Sequence, residues 1–185
     1  MPSEDRHLVW PFVRDEREIE FHMFRARVKV ASHPSSGAEH EFTVLDGADW
    51  ANTIAITEDD EVVLIRQFRH GTDSVTLEIP GGMVDDGETH ADAAARELLE
   101  ETGYRAARWH EIGRVHPNPA LQSNMCSTWL AEGAQRVSNP ALDEAEAIEV
   151  VTAPLAGIRS LIAGGEITHA LVVSAFYFLW EHTST

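Results

Sequence analysis

Cysteine is almost absent from this chain: Cys126 is the only one in 185 residues. No intrachain disulfide can form, which points to a reducing compartment, and its place in the apolar segment MCSTWLA predicts a packed thiol, not a nucleophile. Positive charge is scarce as well. Fourteen Lys and Arg stand against 31 Asp and Glu, a net charge of −17, so electrostatics disfavour a nucleic-acid or anionic-membrane partner. The ten histidines show no H-x-x-H or H-x-x-x-H spacing, which argues against zinc. The most apolar stretch, HALVVSAFYFLW, is too short to cross a bilayer and reads as a buried helix. The opening MPSEDRHLVW has neither a basic start nor an apolar run of signal length. The expectation is a soluble, cytoplasmic protein. No G-K-[ST] is present for a P-loop, and no D-x-[DN]-x-[DN]-G for a calcium loop.

What remains is an ordinary globular composition, 43% apolar, and enough length for one domain with a core and a small appendage. No internal repeat or low-complexity segment stands out. Strand character runs through 21–33, 40–46, 50–57, 61–68 and 74–80, with turn chemistry in PSSGAE and EDD. A helix is expected between Thr89 and Gly103. WHEIGRVHP, NMCSTWLAEG and AEAIEVVTAP read as further strands, and PLAGIRSLIAGG and THALVVSAFYFLWEH as terminal helices. The pattern predicts a mixed α/β or α+β fold. Residues 1–47 are expected to form a small antiparallel β unit ahead of a main domain, 48–185. An edge-rich β unit of this kind often pairs with a second copy, so a homodimer is expected.

The densest information lies in GGMVDDGETHADAAARELLEETGY, residues 81–104. Thr89 followed by Asp92 is a helix-starting capping pattern, ADAAARELLEET is rich in helix formers, and Gly103 is a natural stop. On that helix Glu97 and Glu101 share a face one turn apart, with Glu100 beside them. Like charges so placed call for a cation, and carboxylate oxygens suit Mg2+ or Mn2+, which also bind phosphates. A Glu pair alone is an ordinary solvated helix face. Seven fixed residues are not: Gly82, Glu88, Arg96, Glu97, Glu100, Glu101 and Gly103, each at roughly 7%, coincide by chance about once in a hundred million start positions.

The pattern G-x5-E-x7-R-E-L-x-E-E-x-G resembles the signature of the Nudix hydrolases. VVLIRQFRHG and LEIPGG upstream, and Pro119 fifteen residues beyond Tyr104, are similar to the branch that hydrolyses ADP-ribose and nucleoside diphosphate sugars. The resemblance covers roughly residues 50–182. It implies an α/β/α sandwich with a mixed sheet, and two or three Mg2+ ions (Mn2+ as substitute) held by Glu97, Glu101, Glu100 and the Gly81 carbonyl. Arg96 would orient the glutamates, and Glu88 would be structural. Arg69 would contact the diphosphate or terminal sugar, with Glu78, Asn118 and Pro119 also at the substrate. A general base is expected on a later loop, NPALDEAEAIEVV, with Glu144 in its place and Glu146 as second choice. The implied reaction splits the diphosphate of a nucleotide sugar into a nucleoside monophosphate and a sugar phosphate. Hydrolysis of another dinucleotide or a coenzyme A derivative, and a non-catalytic ADP-ribose sensor, are the rival readings.

Overall fold

The structure, a computed structural model, describes residues 3–144 and 146–184. These form two compact units, 3–48 with 118–124, and 49–117 with 125–144 and 146–184.

In the first unit a short 3-10 helix, Ser3–Leu8, precedes three antiparallel strands: β1 (Phe12–Glu20), β2 (Phe24–Ser32) and β3 (Glu39–Gly47), in that spatial order. Strand β1 was not expected. Its sequence FVRDEREIE carries too much charge to read as a strand, and it is exposed along its whole length. Arg14–Glu39 and Arg27–Asp15 ion pairs tie it to its neighbours, so cross-strand charge pairing takes the place of an apolar face. Segment 118–124 lies along the other side of β3, with Leu45 N–H donating to Leu121 and Ser123 N–H to Leu45.

The second unit is built on a seven-stranded mixed sheet. Its strands are β4 (Trp50–Ile56), β5 (Glu61–Arg69), β6 (Ser74–Glu78), β7 (Gly81–Met83), β9 (Arg108–Val115), β10 (Cys126–Glu132) and β12 (Ile148–Pro154). Two-residue strands β8 (Tyr104–Arg105) and β11 (Gln135–Arg136) pair separately. Strands β4 and β10 run parallel, and the other pairs in the sheet are antiparallel. Helix α1 (His90–Thr102) covers one face. On the other, the core of Ile54, Leu64, Leu130, Phe176 and Leu179 joins the sheet to α2 (Ile158–Ala163) and α3 (Ala170–Thr183). The α/β/α layering expected from the sequence is the one observed.

Two details position the site. Strand β4 pairs with β5 only at Ala55 and Ile56, and beyond that β5 pairs with β6 while β4 pairs with β7. The sheet therefore splits, and the segment from Glu78 to Met83 crosses the gap. Gly81–Gly82 lies in β7, its backbone paired with Asn52 and Ala51. Helix α1 seats Ala93, Ala94 and Leu98 against the sheet, and the small side chains let it approach closely enough for Thr53 Oγ1 to donate to the Ala94 carbonyl. Thr89 caps its start, accepting from the Asp92 N–H, and Gly103 ends it at φ 75°.

Candidate active site

The buried stripe of α1 runs on from Ala94 and Leu98 to Glu101, so the helix drives a carboxylate toward the sheet. Glu101 is 3% exposed, and its Oε2 accepts from the Gly81 N–H at 2.8 Å. Burial, with the Glu97 and Glu146 charges close by, pushes its pKa up to about 8. Burial also raises Glu97, against the opposing pull of Arg96. Gly82 has no room for a side chain, because a Cβ there would run into the Glu97 carboxylate. Glycine at this place is the space that Glu97 occupies.

Arg96 explains much of the spacing of the fixed residues between Gly82 and Gly103. Its Nε and Nη2 fork onto Glu88 at 3.0 Å each, its Nη1 reaches Glu97 at 2.8 Å and Glu100 at 3.2 Å, and its Nη2 also donates to the Met83 carbonyl. Hydrogen bonding to these carboxylates raises the guanidinium pKa further above its usual value. Glu88, held below the usual carboxylate range chiefly by Arg96, is an anchor for the arginine. Arg96, expected from the sequence to orient the glutamates, thus lies among Glu88, Glu97 and Glu100.

Across the split in the sheet, Arg69 Nε and Nη2 donate to Glu78 Oε1 and Oε2 at 2.8 and 2.7 Å, and Thr76 Oγ1 donates to Glu78 Oε1 at 2.5 Å. Glu78 is 2% exposed. Burial works to raise its pKa, but Arg69 and Thr76 outweigh it and the carboxyl ends below its usual range. Neither bond uses Arg69 Nη1, which leaves that donor for a ligand. The charges of Arg69 and Glu101 act on each other, so the arginine and the acidic helix share one neighbourhood.

Glu146, half-buried, lies near enough to raise both Glu97 and Glu101, whereas Glu144 is exposed on the turn before it. The Glu146 carboxylate accepts from the Asp143 N–H at 3.1 Å. Ala145 between them lies outside the described residues. Asn118 and Pro119 belong to the other unit, where the Asn118 carbonyl accepts from Leu121 and Gln122 N–H. Three polar groups here carried no sequence signal as a set: Thr76, Gln67, whose Oε1 is buried without a partner among the described residues, and His169, whose charge acts on Glu78. They become neighbours only through the β5–β6 hairpin and the start of α3. A separate cavity of about 390 Å3, lined by Glu58, Glu61, Tyr104 and Arg136 among others, contains none of the carboxylates between Gly82 and Gly103.

The donor set fits a divalent cation on chemical grounds. Glu101 is buried and Glu97 half-buried, and burial raises the pKa of both, a penalty that a bound cation would offset. Among the described residues no three His, Cys, Asp or Glu side chains converge as a ready-made cage. Glu97 and Glu100 would have to exchange Arg96 for the ion.

An acidic helix, a split mixed sheet and an arginine suited to phosphate are the features to set beside known proteins. A NUDIX domain match spans residues 48–172, and the chain belongs to the NUDIX family. It is a hydrolase. Among relatives, it is 30% identical over 127 residues to the ADP-ribose pyrophosphatase of Bacillus subtilis (strain 168), covering 68% of this chain and 69% of that one. It is 28% identical over 153 residues to the GDP-mannose pyrophosphatase of Klebsiella pneumoniae subsp. pneumoniae, covering 78% and 77%. The fold is shared with the crystal structure of an ADP compounds hydrolase, at a TM-score of 0.83 and 24% identity over 95% of this chain and 94% of the other.

Proposed function

We propose that this enzyme hydrolyses the diphosphate of ADP-ribose or of a nucleoside diphosphate sugar with Mg2+, releasing a nucleoside monophosphate and a sugar phosphate. The observation that carries the reading is the acidic face of Glu97 and Glu101, both raised by burial, with the Arg69 guanidinium acting on Glu101 while its Nη1 stays clear of the fork onto Glu78. The relatives named for ADP-ribose and GDP-mannose support the substrate class.

Two or three divalent ions, held by Glu97, Glu100, Glu101 and the Gly81 carbonyl, would neutralise the diphosphate and lower the pKa of the attacking water. The chain's own residues do the rest. Arg96 holds Glu97 and Glu100 until substrate arrives. Arg69, pinned by Glu78, presents Nη1 to a phosphate or sugar oxygen. The loop carrying Glu144 and Glu146 supplies the base, and the charge of Glu146 on Glu97 and Glu101 favours it as the nearer of the two. Comparing Glu144→Gln with Glu146→Gln assigns the base to the variant with the larger loss of kcat; equal, near-normal turnover in both would remove the base from this loop.

A homodimer through the first unit completes the proposal. Its support is the exposed strand β1 and the exposed Leu8, Phe12, Ile19, Phe21 and Met23. Size-exclusion chromatography with light scattering should give twice the 20.5 kDa chain mass, and a monomeric mass would refute it. We expect the enzyme in the cytoplasm, with no nucleic-acid or membrane partner. Incubation with ADP-ribose, GDP-mannose, UDP-glucose, NADH and diadenosine polyphosphates, with products resolved by chromatography, tests the substrate. Preference for a dinucleotide over ADP-ribose and the sugars would replace the proposed class.

A further inference from the structure

Behind the strand that carries Gly81, two polar side chains each hold a buried oxygen with no hydrogen-bond partner among the described residues. Asn52 is 8% exposed and Thr128 is 1% exposed. They are register partners on the parallel strands β4 and β10. Their neighbours establish which face they take. Thr53 and Ser127 point to α1, where they meet the Ala94 carbonyl and His90, so alternation turns Asn52 and Thr128 to the opposite face. The next pair on that face, Ile54 and Leu130, belongs to the core under α3. Neither Asn52 Oδ1 nor Thr128 Oγ1 has a hydrogen-bond partner among the described residues.

The pair sits in a row that ends in glycine on both sides. Gly81 of β7 pairs with Asn52, and Gly113 of β9 pairs with Thr128. A Cβ on Gly81 would stand 2.7 Å from Asn52 Cα and 2.9 Å from Asn52 Cβ, so the β7 backbone packs directly on Asn52. At the other end the Phe178 ring fills the space above Gly113. The β9–β10 ladder is irregular between Thr128 and Trp129, the mark of a bulge. Polar groups buried this deeply are normally bonded or hydrated. These two do not bond each other, and a single water can serve two paired polar groups at once. The carboxamide oxygen only accepts, while the hydroxyl donates and accepts. Neither is charged, so a neutral molecule suits the site and a cation does not.

We propose that Asn52 and Thr128 bind one buried water, which donates to Asn52 Oδ1 and accepts from the Thr128 hydroxyl. The water fixes Asn52 beneath Gly81, on the face opposite Glu101, whose carboxylate holds the Gly81 N–H. Asn52 and Thr128 are thus positioning residues for the strand that meets the acidic helix.

A high-resolution crystal structure of the wild-type enzyme reads the site directly. Density for one water within hydrogen-bonding reach of both atoms is expected; an empty site, or a direct Asn52–Thr128 bond, overturns the proposal. Thr128→Val preserves shape and removes the hydroxyl. It should lower Tm by roughly 3–6 °C and speed amide hydrogen exchange at Gly81 by about tenfold relative to Val63. An unchanged Gly81-to-Val63 exchange ratio overturns the positioning role, because a purely global loss of stability would move both amides together. Combining Thr128→Val with Asn52→Leu should cost less than the sum of the single variants, since both act through one water; additive losses overturn it.

Discussion

At the scale of single residues, the site is governed by burial of carboxylates. Glu101, raised to about 8, binds its proton more tightly folded than unfolded. Its contribution to stability is therefore complete below the ordinary carboxylate range and is lost as pH rises toward 8. The metal-free enzyme should melt at progressively lower temperature from pH 5 to pH 8, and Glu101→Gln should flatten that slope. A Gln variant whose Tm still falls as steeply would assign the effect elsewhere. Arg69 makes the opposite case, an ion pair whose removal strands the buried Glu78. With Arg69 itself partly exposed, Arg69→Ala should cost about 1–3 kcal/mol of stability and raise KM more than it lowers kcat. Arg69→Lys should not restore KM, because an ammonium cannot fork onto Glu78 and still offer a third planar donor. Chemical denaturation and steady-state kinetics on the pair check both statements.

At the scale of elements, helix α1 is the part that presents the chemistry, and three contacts place it. Thr89 caps its first turn. His90 joins β10 to the residue ahead of β4, with Nδ1 at 2.9 Å from Ser127 Oγ and Nε2 at 3.3 Å from Asp49 Oδ2, while Trp129 Nε1 donates to the same Ser127 at 3.0 Å. Gly82 lets Glu97 fold against β7. Gly82→Ala should therefore displace Glu97 and cut kcat by about 100-fold or more while costing little stability. His90→Ala should do the reverse, lowering Tm by roughly 2–4 °C with kcat nearly kept. If the two variants behaved alike in kinetics and melting, this division of labour would be wrong. Helix α1 was legible in the sequence down to its cap and its stop, because a capping residue, a run of helix formers and a terminal glycine all act locally. Strands β1 and β7 were not. One is stabilised by charge pairs with neighbours distant in sequence, and the other is only three residues whose strand character comes entirely from pairing with β4. The roles of Thr76, Gln67 and His169 were hidden for the same reason, since their proximity depends on the tertiary fold.

At the scale of the whole molecule, a chain of net charge −17 is proposed to take up an anionic substrate, which its overall field repels. The site answers with Arg69 and Arg96, and with carboxylates whose pKa values burial raises and a bound cation would lower. Loading with a divalent ion should therefore raise Tm, most of all near pH 8 where Glu101 ionises. The account rests on those carboxylates acting through bound metal. The most direct test is ADP-ribose hydrolysis by chelator-treated enzyme titrated with Mg2+, in wild type and Glu97→Gln, with products separated by chromatography. The account predicts no turnover without metal, AMP and ribose 5-phosphate on adding it, and a fall in kcat of orders of magnitude in the folded variant. Undiminished turnover in the chelated enzyme, or a near-normal kcat for Glu97→Gln, would contradict it.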